Sequence, residues 1–127
     1  NEKVEGSNPF ARSRIIMSDL FKKNCVSCDG NTPPFDTTEI HKYLKKIDGW
    51  DVKKNDDNNF FLEKKFTFTN FLESQSFINK VSSIAEIENH HPDIFFGWGY
   101  AYIKIFTHAI KGLAESDFIL ASKIDQI

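Results

Sequence analysis

Two turn-forming runs, Asn55-Asp56-Asp57-Asn58-Asn59 and Gly97-Trp98-Gly99, each stand between stretches of strand-like residues, and that arrangement commits the chain to two β-hairpins. In the first, Trp50 and Val52 start a short strand, and Phe60 to Phe68 sets Leu62, Phe66 and Phe68 against Glu63, Lys65 and Thr67. In the second, Asp93 to Phe96 leads to Tyr100 to Thr107, where Ala101, Ile103 and Ile105 alternate with Tyr100, Tyr102 and Lys104. Hairpins imply an antiparallel sheet, one face of which needs an apolar cover.

Helical periodicity supplies the cover. Asp36-Thr37-Thr38-Glu39 is a capping-box pattern, Ile40, Tyr43, Leu44 and Ile47 follow at helical spacing, and Gly49 ends this first helix. A second helix runs from about Asn70 to Glu88 with Phe71, Phe77, Ile78, Val81, Ile84 and Ala85 inward. The ring of Pro92 pushes His91 out of the α region, so His90-His91-Pro92 is a loop. Gly112 breaks the last strand's run, and a third helix from about Ser116 to Asp125 carries Phe118, Ala121 and Ile124. The reading is α+β: a four-stranded antiparallel sheet with three helices on one face, in the order α-β-β-α-β-β-α.

That domain is expected over residues 31–127. Residues 1–30 mix Gly, Ser, Asn, Pro and charge without a sustained period and read as an irregular leader. Met17 is the sole methionine, so residues 1–16 are expected to be an added or processed remnant. The leader holds five basic and four acidic side chains of the chain's 16 and 18, which leaves 11 and 14, a net −3, in the domain. Such a surface excludes nucleic acid held by charge, and no apolar run is long enough to cross a bilayer. The lone Cys25-x-x-Cys28 excludes a secreted disulfide framework and points to a reducing, cytoplasmic compartment. Lys45-Lys46, Lys53-Lys54 and Lys64-Lys65 read as solvated faces, His41 as a solvent-facing helical residue, and the phenylalanines as core.

The remaining three histidines fall at element ends: His90 and His91 after the second helix, His108 past the last strand. Imidazole can give and take a proton near neutral pH, and loops on a rigid scaffold are where sites concentrate. Glu86, four residues before His90, is placed to orient it, and Asp117 in the first turn of the third helix is a second orienting carboxylate. The spacing is not that of a zinc ligand set, where paired histidines usually share one helix face, so no metal is expected.

The stretch Glu86-x-x-x-His90-His91-Pro92, with Trp98, His108 and Asp117 following at fixed gaps, resembles the signature of the pterin-4a-carbinolamine dehydratases. Gly49-Trp50, Gly112-Leu113 and Leu120-Ala121-Ser122 extend the resemblance over roughly residues 32–127. It implies dehydration of 4a-hydroxytetrahydrobiopterin to the quinonoid dihydropterin, in tetrahydrobiopterin recycling, without a metal or other cofactor. It assigns His90 and His108 as acid and base, with His91 contacting the pterin and sharing the chemistry. Glu86 and Asn89 support the first histidine, Pro92, Thr107, Ala109 and Ile110 form the pocket wall, and Asp117 is the acidic residue of the signature. It further implies a homodimer or homotetramer.

The chain departs from the animal pattern in having Asn89 for Asp, Ile94 for Trp and Ser116 for Arg, and Ala114 stands where a capping Ser is common. Animal members also stabilise a transcription factor as a dimerisation partner. That gives a second reading, a binding role with a nuclear location as well; a metal hydrolase built on the three histidines is a third.

Overall fold

A computed structural model describes residues 18–26 and 29–127 of the chain. Residues 1–17, with the expected start at Met17, and the Cys28 half of the Cys-x-x-Cys lie outside the described residues. Strands β1 (Asp51–Lys54), β2 (Phe60–Thr67), β3 (Asp93–Gly97) and β4 (Tyr100–Ile105) form one antiparallel sheet in the order β1-β2-β4-β3. Helices α1 (Thr37–Leu44), α2 (Phe71–Glu88) and α3 (Glu115–Ile124) complete the expected order. Short 3-10 turns occupy Ser18–Lys22 and His108–Ile110.

Register decides which residues share a face. Leu62 lies opposite Ile105, Phe66 opposite Ala101, and Ile94 opposite Ile103, so these side chains make one apolar face. Ala101, Ile103, Ile105 and Leu62 are fully buried there, against Val81 of α2 and Phe118, Leu120 and Ala121 of α3. Turn geometry closes each hairpin. Gly99 sits at φ 80, a left-handed conformation that costs glycine little, and its carbonyl accepts from the N–H of Phe68. The opposite sheet face is aromatic, with Tyr102 beside Tyr100 and Phe95, and Lys104 over the Phe61 ring.

Several expectations need correction. Helix α1 stops at Leu44, short of Gly49, because the chain tightens there: Lys46 N–H bonds the Tyr43 carbonyl and Ile47 N–H that of Leu44. Ile47 is buried all the same. Phe71, expected inward, is 46% exposed at the first turn of α2, its ring 5.6 Å from that of Phe96. The packed part begins before residue 31, since Leu20 is buried among the core side chains. Lys64 is no solvated residue: it bonds Asp125 at 2.9 Å and the Asp48 carbonyl at 2.7 Å. The alternation that turns Leu62 and Phe66 inward turns Lys64 inward too, and Asp125, which also accepts from the Trp50 indole N–H, receives it.

Burial raises the Asp125 carboxyl above its ordinary value, although Lys64 and the Trp50 N–H both pull it down. A carboxyl raised on folding makes the folded state hold its proton longer than the unfolded chain does. Its cost is absent below the ordinary carboxylate range, grows as pH rises through that range, and is complete above the folded value. Lys64→Met is therefore expected to lower unfolding stability at pH 7 by about 1–3 kcal/mol by urea titration, and the loss to shrink as the pH is brought down toward carboxylate protonation.

Candidate active site

At one end of the sheet β4 runs out at Ile105. Pairing of Leu62 with Ile105 and of Asp93 with Lys104 sets the β1–β2 turn on one side of that end and the α2–β3 loop on the other. Both histidine-bearing segments are thereby brought to the same edge of the molecule.

Helix α2 ends in a way that aims the first of them. Asn89 adopts φ 51 and ψ 42, the left-handed conformation that asparagine tolerates better than most side chains, and its N–H caps the carbonyls of Ala85 and Glu86. The chain then reverses, and the imidazole of His90 turns toward α3, where its Nε2 lies 2.7 Å from Asp117 Oδ1. Asp117 is completely buried. Its other oxygen accepts from the Thr107 hydroxyl and from the Ala114 N–H, both at 2.8 Å. An ionised carboxylate in this place only accepts, an arrangement that calls for a ring proton on Nε2 and leaves Nδ1 to face a substrate.

The same carboxylate explains the start of α3. Ala114, the N-cap, offers no side-chain acceptor, and Asp117 three residues later holds the Ala114 N–H instead. The missing serine is offset from inside the helix.

Glu86 is not the partner of His90. The left-handed turn at Asn89 carries His90 away and leaves His91 on the Glu86 side, with Nε2 of His91 2.5 Å from Glu86 Oε2. Both members of that pair are exposed. Asn89 supports His90 through its backbone conformation. Thr107 and Ile110, expected as pocket wall, are each only 7% exposed. Thr107 spends its hydroxyl on Asp117, while Ala109 and His108 face solvent and Pro92 is half-buried.

His108 opens the 3-10 turn after β4, its ring 4.2 Å from that of Phe106. The turn closes with Lys111 at φ 55 and a bridge between Thr107 and Gly112. Gly112 is needed for its small size, since a Cβ there would lie 2.7 Å from that of Pro34. A cleft of about 610 Å³ lies beside His108, lined also by Asn55, Asp57, Asn59, Phe106 and Lys111. Sequence reasoning missed these five residues. Hairpin pairing was readable, but the β2·β4 neighbour relation that brings the Asn55–Asn59 turn to His108 leaves no local signal.

The site thus offers one imidazole oriented by a buried carboxylate, one on an exposed carboxylate and one in an open cleft. Groups of this kind move protons to and from a substrate. His90 and His91 bond different carboxylates, and no cluster of three or more His, Cys, Asp or Glu among the described residues could hold a metal ion. No helix among the described residues is long and apolar enough to cross a membrane.

The pattern of the family described as Pterin 4 alpha carbinolamine dehydratase matches residues 33–127. A protein of Rubrobacter xylanophilus with the provisional name pterin-4-alpha-carbinolamine dehydratase is 46% identical over 111 residues, 87% of this chain and 100% of that one. One of the same provisional name from Halorhodospira halophila is 42% identical over 108 residues, 85% of this chain and 96% of its own. A crystal structure from Brucella melitensis, described as a transcriptional coactivator/pterin dehydratase, superposes with a TM-score of 0.65 at 26% identity, over 73% of this chain and 96% of that one.

Asp117→Ala is expected to lower unfolding stability by about 2–4 kcal/mol in urea titration, because it strands the Thr107 hydroxyl and the Ala114 N–H in a buried site. Glu86→Ala, at an exposed pair, is expected to change it by less than about 0.5 kcal/mol.

Proposed function

The chain belongs to the Pterin 4 alpha carbinolamine dehydratase family, and on that premise we propose that it dehydrates 4a-hydroxytetrahydrobiopterin to the quinonoid dihydropterin. The shared carboxylate of Asp117 is the observation that supports this reading, because it fixes the tautomer of one imidazole and, through Thr107, the segment that carries another.

In the reaction the C4a–O bond breaks, the hydroxyl leaves as water, the N5 proton departs, and a C4a=N5 double bond forms. No electrons are gained or lost, so proton transfer is the whole of the chemistry. We assign His90 as its base and His108 as its acid. Asp117 suits His90 to accept the N5 proton, since a buried carboxylate stabilises the imidazolium that forms, and His108 then protonates the leaving hydroxyl. His91, held by Glu86, contacts the pterin. Pro92 and Ala109 flank the ring. The reaction regenerates a pterin cofactor for aromatic amino acid hydroxylases, in a cytoplasmic setting.

We also infer a homodimer or homotetramer. Strand β3 is an unpaired sheet edge, and Leu72, Ile87, Phe95 and Trp98 are each 65–80% exposed. The Brucella protein's description as a coactivator gives the binding role a place beside catalysis.

With chemically generated 4a-hydroxytetrahydropterin and a chelator present, the wild type is expected to speed loss of the carbinolamine absorbance. His90→Ala and His108→Ala are each expected to lower kcat by about 10²–10⁴-fold. A wild-type rate equal to buffer, or unchanged variants, would overturn the assignment, and loss of activity only on chelation would favour a metal hydrolase. Sedimentation at micromolar concentration is expected to give a species larger than the monomer.

A further inference from the structure

We propose that residues 18–26 form a clasp that sets the distance between His90 and Asp117, with Ser116 and Glu88 as its positioning residues. The proposal rests on the assignment of that pair to the reaction.

Two consecutive residues bond the helix ends that carry the pair: Cys25 reaches both ends and Val26 the start of α3. Glu88 closes α2, two positions before His90, and Ser116 immediately precedes Asp117. The Cys25 N–H donates to Glu88 Oε1 at 2.8 Å. The Val26 N–H donates to the Ser116 hydroxyl at 2.9 Å, and that hydroxyl donates back to the Val26 carbonyl at 2.9 Å. The Cys25 thiol donates to the Ser116 carbonyl at 3.4 Å. One short stretch of backbone thus spans the sequence neighbours of both partners.

A second anchor stops the stretch from sliding. Lys123 donates to the Phe21 carbonyl at 2.8 Å and lies 3.5 Å from the other oxygen of Glu88. Both side chains are largely buried, at 17% and 8% exposure, so Glu88 is held between the clasp and α3. Leu20 anchors the near end in the core, and Lys23 reaches Glu115 at 3.0 Å. Burial, with Glu88 close by, pushes the Cys25 thiol up to about 12, which keeps it protonated and able to donate. A hydrogen bond of 2.7 Å weakens within a few tenths of an ångström, and misplacing a proton-transfer group by about 1 Å can cost 10²-fold in rate. Bridging the flanking residues is an effective way to prevent that drift, and it touches neither His90 nor Asp117.

Ser116→Ala in the full chain removes both Val26 hydrogen bonds and leaves His90 and Asp117 intact. The expected result is a fall in kcat of about tenfold with KM within about twofold. In water at neutral pH, the downfield proton resonance of the His90 Nε2–H should weaken or vanish while circular dichroism reports a folded protein. Ser116→Thr, which keeps the hydroxyl, should restore both. Lys123→Met, at the other anchor, should reproduce the loss, and it decides the matter if Ser116→Ala does not fold. Unchanged kcat and an unchanged resonance in the folded variant would overturn the clasp, as would a wild type without that resonance. A wild type that shows the resonance but no dehydratase activity would sink the functional assignment and leave the resonance to decide the clasp.

Discussion

The Asp117 carboxylate receives hydrogen bonds from three separate stretches of chain: the imidazole of His90 after α2, the hydroxyl of Thr107 after β4, and the N–H of Ala114 before its own helix. A fully buried carboxylate is costly to desolvate, and such a group is tolerated only when its lone pairs are engaged. Here the requirement organises the site. Each donor must arrive from its own element, so the end of α2, the end of β4 and the start of α3 are located relative to one another by one group. The geometry proposed for the reaction and the local stability of the fold consequently rest on the same set of bonds.

Around it the scaffold is conventional in its physics. Strand β4 is interior to the sheet, and its inward residues Ala101, Ile103 and Ile105 are completely excluded from water. The strand that presents Thr107 and His108 is therefore among the least able to move. Polar residues facing the same side are handled by pairing, as with Lys64 and Asp125, or by place, as with Ser74, whose hydroxyl donates to the Asn70 carbonyl. The other sheet face keeps its aromatic rings in contact with one another while leaving Phe95 open.

What the sequence disclosed followed from how local each signal is. The hairpins, the N-cap at Asp36 and the stop before Pro92 depend on a few neighbouring residues, and the structure has them where the pattern put them. The α+β order follows from those. The candidate histidines were visible as residues at element ends, yet their partners were not. Helical spacing paired Glu86 with His90, and the left-handed Asn89, one residue, reassigned it to His91. Nor could spacing show that Thr107 faces Asp117 and not the cleft, or that the Asn55–Asn59 turn lines it. Those are consequences of strand order and of burial, which are global. The segment at 18–26 was misread for the same reason: it has too few apolar residues to show a period, and its bonds run to partners 63 to 91 residues away.

Those long separations impose an order of events on the chain as it is made. His90 emerges 27 residues ahead of Asp117 and Thr107 10 residues ahead, while the segment at 18–26 waits 90 residues for Ser116 and 102 for Lys123. Contacts so distant along the chain form late, after the local hairpins and helices have settled. The His90–Asp117 pair therefore closes only after β3, β4 and the start of α3 have been made, so both hairpins can form before the bond that orients the imidazole.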